Sequence, residues 1–170
     1  MNDRAAEALI ASADVVFGCL DDDAARLDLT RIAAEYAKPY FDLATDFGGG
    51  NDAWWGGRVV LSDETQCLVC LGLLDLGSLA LAAMTAEQQE ADKRIYGIDK
   101  AALEGTGPMV VSINGAVASI AVTEFIALIT GLRAPMKNLT YRADLQRITN
   151  SLDLPDPGCY YCKGLWGRKA

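Results

Sequence analysis

Two Cys-x-x-Cys pairs, Cys67/Cys70 and Cys159/Cys162, take four of the chain's five cysteines and leave 88 residues between them. A two-residue spacer lets both sulfurs of a pair reach one ion at about 2.3 Å, so two such pairs form the ligand set of a closed tetrahedral zinc site. Such a site would staple the C-terminus to the middle of the chain as scaffolding and leave the chemistry to other residues. Two other readings use the same cysteines. One is a thioredoxin-like redox pair, which stands singly at a helix start; the other is disulfide bonding between the pairs.

Composition narrows the rest. At 170 residues, 51% of them hydrophobic, the chain can bury the core of one domain. A net charge of -8, with the 15 Lys and Arg scattered, argues against nucleic acid as a partner, because phosphate neutralisation needs clustered cations. No histidine is present, which removes Ser-His-Asp triads, Cys-His dyads and mixed His/Cys metal sites. The N-terminus, Met1-Asn2-Asp3-Arg4, opens an Ala-rich, acidic stretch with no apolar signal core, so the free thiols are expected in a reducing cytoplasm. The stretch from Met109 to Gly131 has the length of a membrane span. Asn114, Thr123 and Glu124 within it favour a core or interface helix, with no membrane partner.

The order of elements predicts an α/β fold. A short helix over Arg4 to Ala11 leads into the apolar run Asp14 to Cys19, which has the texture of a buried strand. Apolar residues at Leu27, Ile32, Ala33 and Tyr36 give helical spacing over Ala24 to Lys38, and Pro39 precedes a second strand, Tyr40 to Ala44. Strand, helix and strand with short joins make a parallel βαβ unit. Turn-rich sequence at Gly48 to Asp52 and Trp54 to Gly57 then precedes an antiparallel strand, Arg58 to Leu61. A helix over Leu79 to Arg94, a Gly- and Pro-bearing loop at 97–108, the long helix, and a hairpin of Asn138 to Arg142 with Gln146 to Thr149 complete the order.

The residues best placed for chemistry stand where the first strand gives way to a helix, in Cys19-Leu20-Asp21-Asp22-Asp23-Ala24-Ala25-Arg26. Ligands of open parallel sheets bind at the carboxyl ends of strands, and carboxylates there can hold magnesium on a nucleotide's phosphates. The same aspartates also suit the N-cap and first turn of a helix. Cys19, inside the strand end, is expected to be a packed, inert thiol.

Taken together these residues resemble the ThiF/MoeB/HesA superfamily, the bacterial relatives of ubiquitin-activating enzymes. That family's strand-end signature is an Asp and hydrophobic pair, then Cys-Thr-Asp-Asn and an Arg four residues on. It stands here as Asp14-Val15-Val16 through Cys19-Leu20-Asp21-Asp22, with Arg26 in the Arg position. Lys38-Pro39-Tyr40-Phe41, Gly57-Arg58-Val59, Ser112-Ile113-Asn114-Gly115 and Pro157-Gly158-Cys159 follow in the family's order.

The resemblance implies a partial Rossmann-like sheet, a parallel βαβ unit extended by antiparallel strands, with a zinc-knuckle staple. It implies MgATP as cofactor, with Asp21 catalytic through its magnesium, Asp22 and Arg26 beside it, and zinc on Cys67, Cys70, Cys159 and Cys162. It also implies adenylation of the C-terminal carboxylate of a ubiquitin-like or sulfur-carrier protein, by a homodimer. The family's Gly-x-Gly-x-x-Gly turn has no counterpart before Ala13, so residues 1–170 read as the C-terminal half of such a domain, inactive alone and completed by a separate N-terminal half. The alternative is a non-enzymatic, zinc-stabilised module for dimerisation or for binding a ubiquitin-like protein.

Overall fold

In the computed structural model, residues 4–48, 54–82 and 110–170 are described. The chain runs α1 (Arg4–Ser12), β1 (Val16–Gly18), α2 (Asp23–Glu35), β2 (Tyr40–Gly48), β3 (Trp54–Ser62), α3 (Leu76–Ala82), α4 (Val111–Thr130), β4 (Asn138–Arg142) and β5 (Arg147–Asn150), then a π-helical turn at Tyr160–Gly164. The five strands form one sheet in chain order. β1 and β2 are parallel, Val16 opposite Tyr40 and Gly18 opposite Asp42, and every later pairing is antiparallel. This is the βαβ unit with antiparallel extension that the element order predicts.

Alternation along the strands explains the layering. Tyr40 on β2 and Val60 on β3 join Ile10 of α1 and Leu29, Ile32 and Ala33 of α2 in one core. Phe41, Leu43, Val59 and Leu61, the intervening residues, join Ile113, Val117 and Ala121 of α4 in another. A sheet covered on both faces needs apolar residues at consecutive positions, hence Tyr40-Phe41 and Val59-Val60-Leu61. Each large side chain buried this way contributes about 1.5–3 kcal/mol.

β3 starts earlier than the glycines and tryptophans suggest: Trp54 to Gly57 are strand residues paired with Gly48 to Thr45. Gly56 and Gly57 are required by close approach. A Cβ at Gly56 would lie 1.9 Å from the Tyr141 carbonyl, and one at Gly57 would meet the Ala44 carbonyl at 2.5 Å and a Val117 methyl at 2.6 Å. Sequence texture reads glycine as a turn; here it lets α4 and two strands close on β3.

α2 ends before Lys38. Ala37 takes a left-handed φ of 52°, and the amides of Ala37 and Lys38 return to the carbonyls of Ala34 and Ala33, closing the helix as a glycine usually does. α4 has the length and apolarity of a membrane span, yet Ile113, Val117, Ala121, Glu124 and Ala127 are buried along one face. Glu124 accepts both terminal nitrogens of Arg133 at 2.7 Å and the Met136 amide at 2.8 Å, fixing the chain as it leaves the helix. The loop expected at 97–108, and the part of the preceding helix beyond Ala82, lie outside the described residues.

Candidate functional site

The cysteine pairs meet. Cys67 and Cys70 sit on a tight turn in which the Leu71 amide bonds the Cys67 carbonyl and the Leu73 amide bonds that of Leu68. Cys159 and Cys162 flank the start of the π-helical turn, whose Lys163 ammonium reaches the carbonyls of Glu64 and Thr65 at 2.8 and 3.2 Å. Beyond it, the amides of Gly167 and Lys169 bond the carbonyls of Ala34 and Glu35 and lay the C-terminus along α2.

All four sulfurs lie within 4.8 Å of one another. Cys67 and Cys159 are 3.6 Å apart and Cys70 and Cys162 3.9 Å, too far for a disulfide at about 2.05 Å. Four sulfurs about 2.3 Å from one tetrahedral ion would be about 3.8 Å apart, so the cluster could hold a metal ion of zinc's size. Burial pushes the Cys67 thiol up to about 12. Cys162 is pushed up as well, by burial and then by the neighbouring Cys67. Burial works against ionising Cys159 too, but the Cys162 amide and the adjoining thiols outweigh it and move that thiol down. Crowded thiolates need a cation among them, and a coordinated divalent ion supplies it.

The second region is open. A cleft of about 680 Å³ lies at the carboxyl ends of β1 and β2, the edge where open parallel sheets take ligands. Asp21, Arg26, Thr45, Asp46, Arg58 and Asn114 of α4 are among the residues that line it, and the Thr45 hydroxyl donates to Asn114 Oδ1 at 2.9 Å. The three aspartates divide the roles foreseen for them. Asp22 is the N-cap of α2, accepting the Ala25 amide at 2.7 Å. Asp23, in the first turn, pairs with Arg26 at 3.2 Å. Asp21 lines the cleft with no hydrogen bond or ion pair to another described residue.

Cys19 corrects the sequence reading. It is exposed and lines the cleft, because β1 ends at Gly18 and the chain leaves the sheet one residue before the thiol. Trp55 also borders the cleft, whereas Trp54 lies beneath the Arg142 guanidinium at 5.6 Å.

Sequence reasoning missed the floor of this region. Asp42 on β2 is fully buried; the Tyr40 hydroxyl donates to its Oδ1 at 2.8 Å, and the guanidiniums of Arg26 and Arg58 approach at 3.6 and 3.7 Å. Burial pushes the Asp42 carboxyl up, and Tyr40 and the two arginines oppose that. Asp42 Oδ2 and the Nε atoms of both arginines have no hydrogen-bond partner among the described residues. The available signal was an aspartate inside the buried run Tyr-Phe-Asp-Leu, which is rare without a paired cation.

Residues 1–160 match the ThiF family. Protein HesA of Leptolyngbya boryana is 26% identical over 156 residues, which are 91% of this chain and 46% of HesA. E. coli MccB, solved with MccA-N7isoASN, superposes with a TM-score of 0.60 at 17% identity, covering 95% of this chain and 44% of MccB. The microcin C7 biosynthetic enzyme MccB in complex with N-formylated MccA gives 0.59 at 19% identity, over 95% of this chain and 44% of that one. The chain therefore spans less than half the length of these relatives. With its fold shared with MccB and the family match running from residue 1 to residue 160, the chain belongs to the ThiF family and forms an adenylyltransferase-like domain.

Proposed function

We propose that this chain is the magnesium-side, zinc-stapled portion of an adenylyltransferase that activates the C-terminal carboxylate of a ubiquitin-like or sulfur-carrier protein with ATP in the cytoplasm. ThiF-family enzymes act on peptide or ubiquitin-like substrates. The observation that carries the reading is Asp21: a carboxylate with no partner among the described residues, in a cleft at the carboxyl ends of parallel strands. MccB has also been solved with ATP.

In the reaction the carrier's carboxylate attacks the α-phosphorus of ATP, the bond from that phosphorus to the bridging oxygen breaks, and pyrophosphate leaves with its electron pair. The nucleophile is already ionised, so no histidine is needed; positioning and charge neutralisation carry the rate. Asp21 would hold magnesium, which when bound offsets the charge of the departing pyrophosphate. Asp22 keeps the first turn of α2 in place beside it, and Arg26 brings a cation to the wall of the cleft. A glycine-rich phosphate cradle at a helix N-terminus would come from further sequence or from another chain. Cys67, Cys70, Cys159 and Cys162 would hold zinc, which would tie down the C-terminal turn and take no part in the transfer. The sequence between Gly72 and Met109 contains no cysteine, and the product we propose is the acyl-adenylate.

The test is ATP–pyrophosphate exchange in the presence of a carrier protein, with the glycine-rich half of a ThiF-family enzyme supplied. Exchange that needs the carrier's free C-terminus and disappears in Asp21→Asn supports the reading; exchange unchanged in Asp21→Asn counts against it.

One observation favours a second role. The outward face of α4 is apolar, with Val111, Val122, Ile126 and Ile129 exposed and Leu132 just beyond. We read this as a surface for self-association into the family's dimer, with or without catalysis. Sedimentation of wild type against Ile126→Glu tests it, since a dimer through this face would dissociate in the variant.

A further inference from the structure

Asp42 belongs to none of the motifs that identify the family, lies under the cleft without lining it, and is still the point where four parts of the chain are joined. On one side, Arg26 Nε faces its Oδ1 at 3.6 Å. From there the same guanidinium donates through NH2 to the Leu20 carbonyl at 2.5 Å and through NH1 to Asp23 Oδ1 at 3.2 Å. On the other side, Arg58 approaches Oδ2 at 3.7 Å and donates to the Leu73 carbonyl at 3.4 Å, on the segment that follows the first cysteine pair. That segment returns to α2, because the Asp75 amide donates to Asp23 Oδ2 at 3.3 Å.

Leu20 immediately precedes Asp21, and Asp22 immediately follows it with its side chain tied to the Ala25 amide. Asp21 is therefore held by its backbone on both sides while its carboxylate engages none of the described residues. One of those two holds depends on where the Arg26 guanidinium points. A long arginine side chain loses considerable rotamer freedom when fixed, and a buried carboxylate facing it supplies the force to fix it. A carboxylate here carries a desolvation cost that leucine or valine in the same layer would not.

We infer that Asp42 is a positioning residue for Asp21, acting through Arg26 and the Leu20 carbonyl. The inference rests on the proposed role of Asp21 for its importance to the reaction, but the mechanical link can be tested without any nucleotide. Removing the charge at Asp42 frees the Arg26 guanidinium, releases the Leu20 carbonyl, and lets the strand-end turn move. Outer residues that orient a ligand carboxylate in this manner typically change ion affinity about 10- to 100-fold when altered.

The experiment measures backbone ¹⁵N relaxation of the whole chain as wild type, Asp42→Asn, Arg26→Lys and Tyr40→Phe. Asp42→Asn and Arg26→Lys should each lower the order parameters at Asp21 and Asp22 from the rigid value of about 0.85 to below about 0.6, with α4 unchanged. Tyr40→Phe removes another hydrogen bond from Asp42 without touching Arg26, and should leave the turn rigid. Unchanged order parameters in Asp42→Asn, or equal loosening by Tyr40→Phe, overturn the inference. If Asp42→Asn loosens every element together, Arg26→Lys decides: a rigid Asp21 turn in that variant also overturns it. A parallel titration with Mn²⁺ and ATP, with the glycine-rich half of a ThiF-family enzyme supplied and read by electron paramagnetic resonance, separates the two claims. A loosened turn with no Mn²⁺–ATP binding even by wild type contradicts the proposed function and leaves the link from Asp42 to Asp21 standing. Binding weakened about 10-fold or more by Asp42→Asn, with no further loss when it is added to Asp21→Asn, supports both.

Discussion

The four-cysteine cluster and the strand-end cleft are built from opposite rules. In the cluster every sulfur faces another sulfur within 4.8 Å, three of the four cysteines are buried, and the surrounding amides and Lys163 close the turns around them. In and beneath the cleft, among the described residues, one carboxylate has no partner, one thiol is exposed, and three buried polar atoms of the Arg26–Asp42–Arg58 group lack a hydrogen bond. A region whose polar groups are mutually satisfied, apart from one central ion, is scaffold; a region that retains unsatisfied polar groups has room for a ligand. On the function proposed above, stability falls to the cysteines and chemistry to Asp21.

The largest test concerns the metal ion that the cluster could hold. Stripping the chain with a chelator, or substituting Cys67→Ser, should release the C-terminal turn from α2 and lower the unfolding temperature by ten degrees or more, since structural zinc contributes on the order of 10 kcal/mol or more of apparent folding energy in small domains. Metal analysis alongside calorimetric melting checks this. A melt unchanged by chelation would remove the scaffold half of the comparison.

Next in size is the floor of the cleft. Arg58→Ala leaves Asp42 with one cation and should cost about 3 kcal/mol in chemical denaturation, because an incompletely paired buried charge is strongly destabilising. A loss below about 0.5 kcal/mol would mean that Arg58 is solvated and that the group is less closed than its distances indicate.

A clamp outside both regions gives a control with a defined pH window. Arg133, through its paired hydrogen bonds, holds the Glu124 carboxyl below its usual 4.5. Its native value lies under its unfolded one, so the stabilisation is complete above about pH 4.5 and is lost as pH falls through the native value. Glu124→Gln should therefore cost about 1–2 kcal/mol at pH 7 and progressively less as the pH is lowered below 4.5, read from unfolding midpoints across pH. A difference that stays constant with pH would show that packing and not charge carries the clamp.

The smallest effect has the opposite sign. Ala37 adopts φ 52° at the end of α2, a conformation that costs a non-glycine residue about 1 kcal/mol. Ala37→Gly should raise stability by about 0.5–1 kcal/mol and bring the C-terminal contacts of Gly167 and Lys169 with α2 under less strain. A loss of stability would place the benefit of Ala37 in its side-chain packing.

The parts of this structure that could be read from the chain are those where residue type and spacing determine geometry. Two-residue spacers brought the cysteines together, and strand, helix and strand with short joins gave the parallel unit. Asp22 and Asp23 took the cap and first-turn positions that aspartate favours in any helix. What could not be read was decided by partners far away in sequence. Gly56 and Gly57 look like a turn until Tyr141 and Val117 close on them. Cys19 looks packed until β1 stops one residue short of it. Asp42 is an anomaly in a buried strand whose explanation, Arg26 and Arg58, comes from α2 and β3. Periodicity reports which face a residue occupies and carries no information about the cation it meets there.

The most direct test of the division between scaffold and chemistry is a calorimetric titration of MgATP into the zinc-loaded chain completed by the glycine-rich half of a ThiF-family enzyme, repeated with Asp21→Asn. Saturable binding that Asp21→Asn abolishes, at unchanged zinc content and unfolding temperature, is the expected result. Equal heats from wild type and variant, or no binding by either, would contradict the placement of the nucleotide's metal on Asp21.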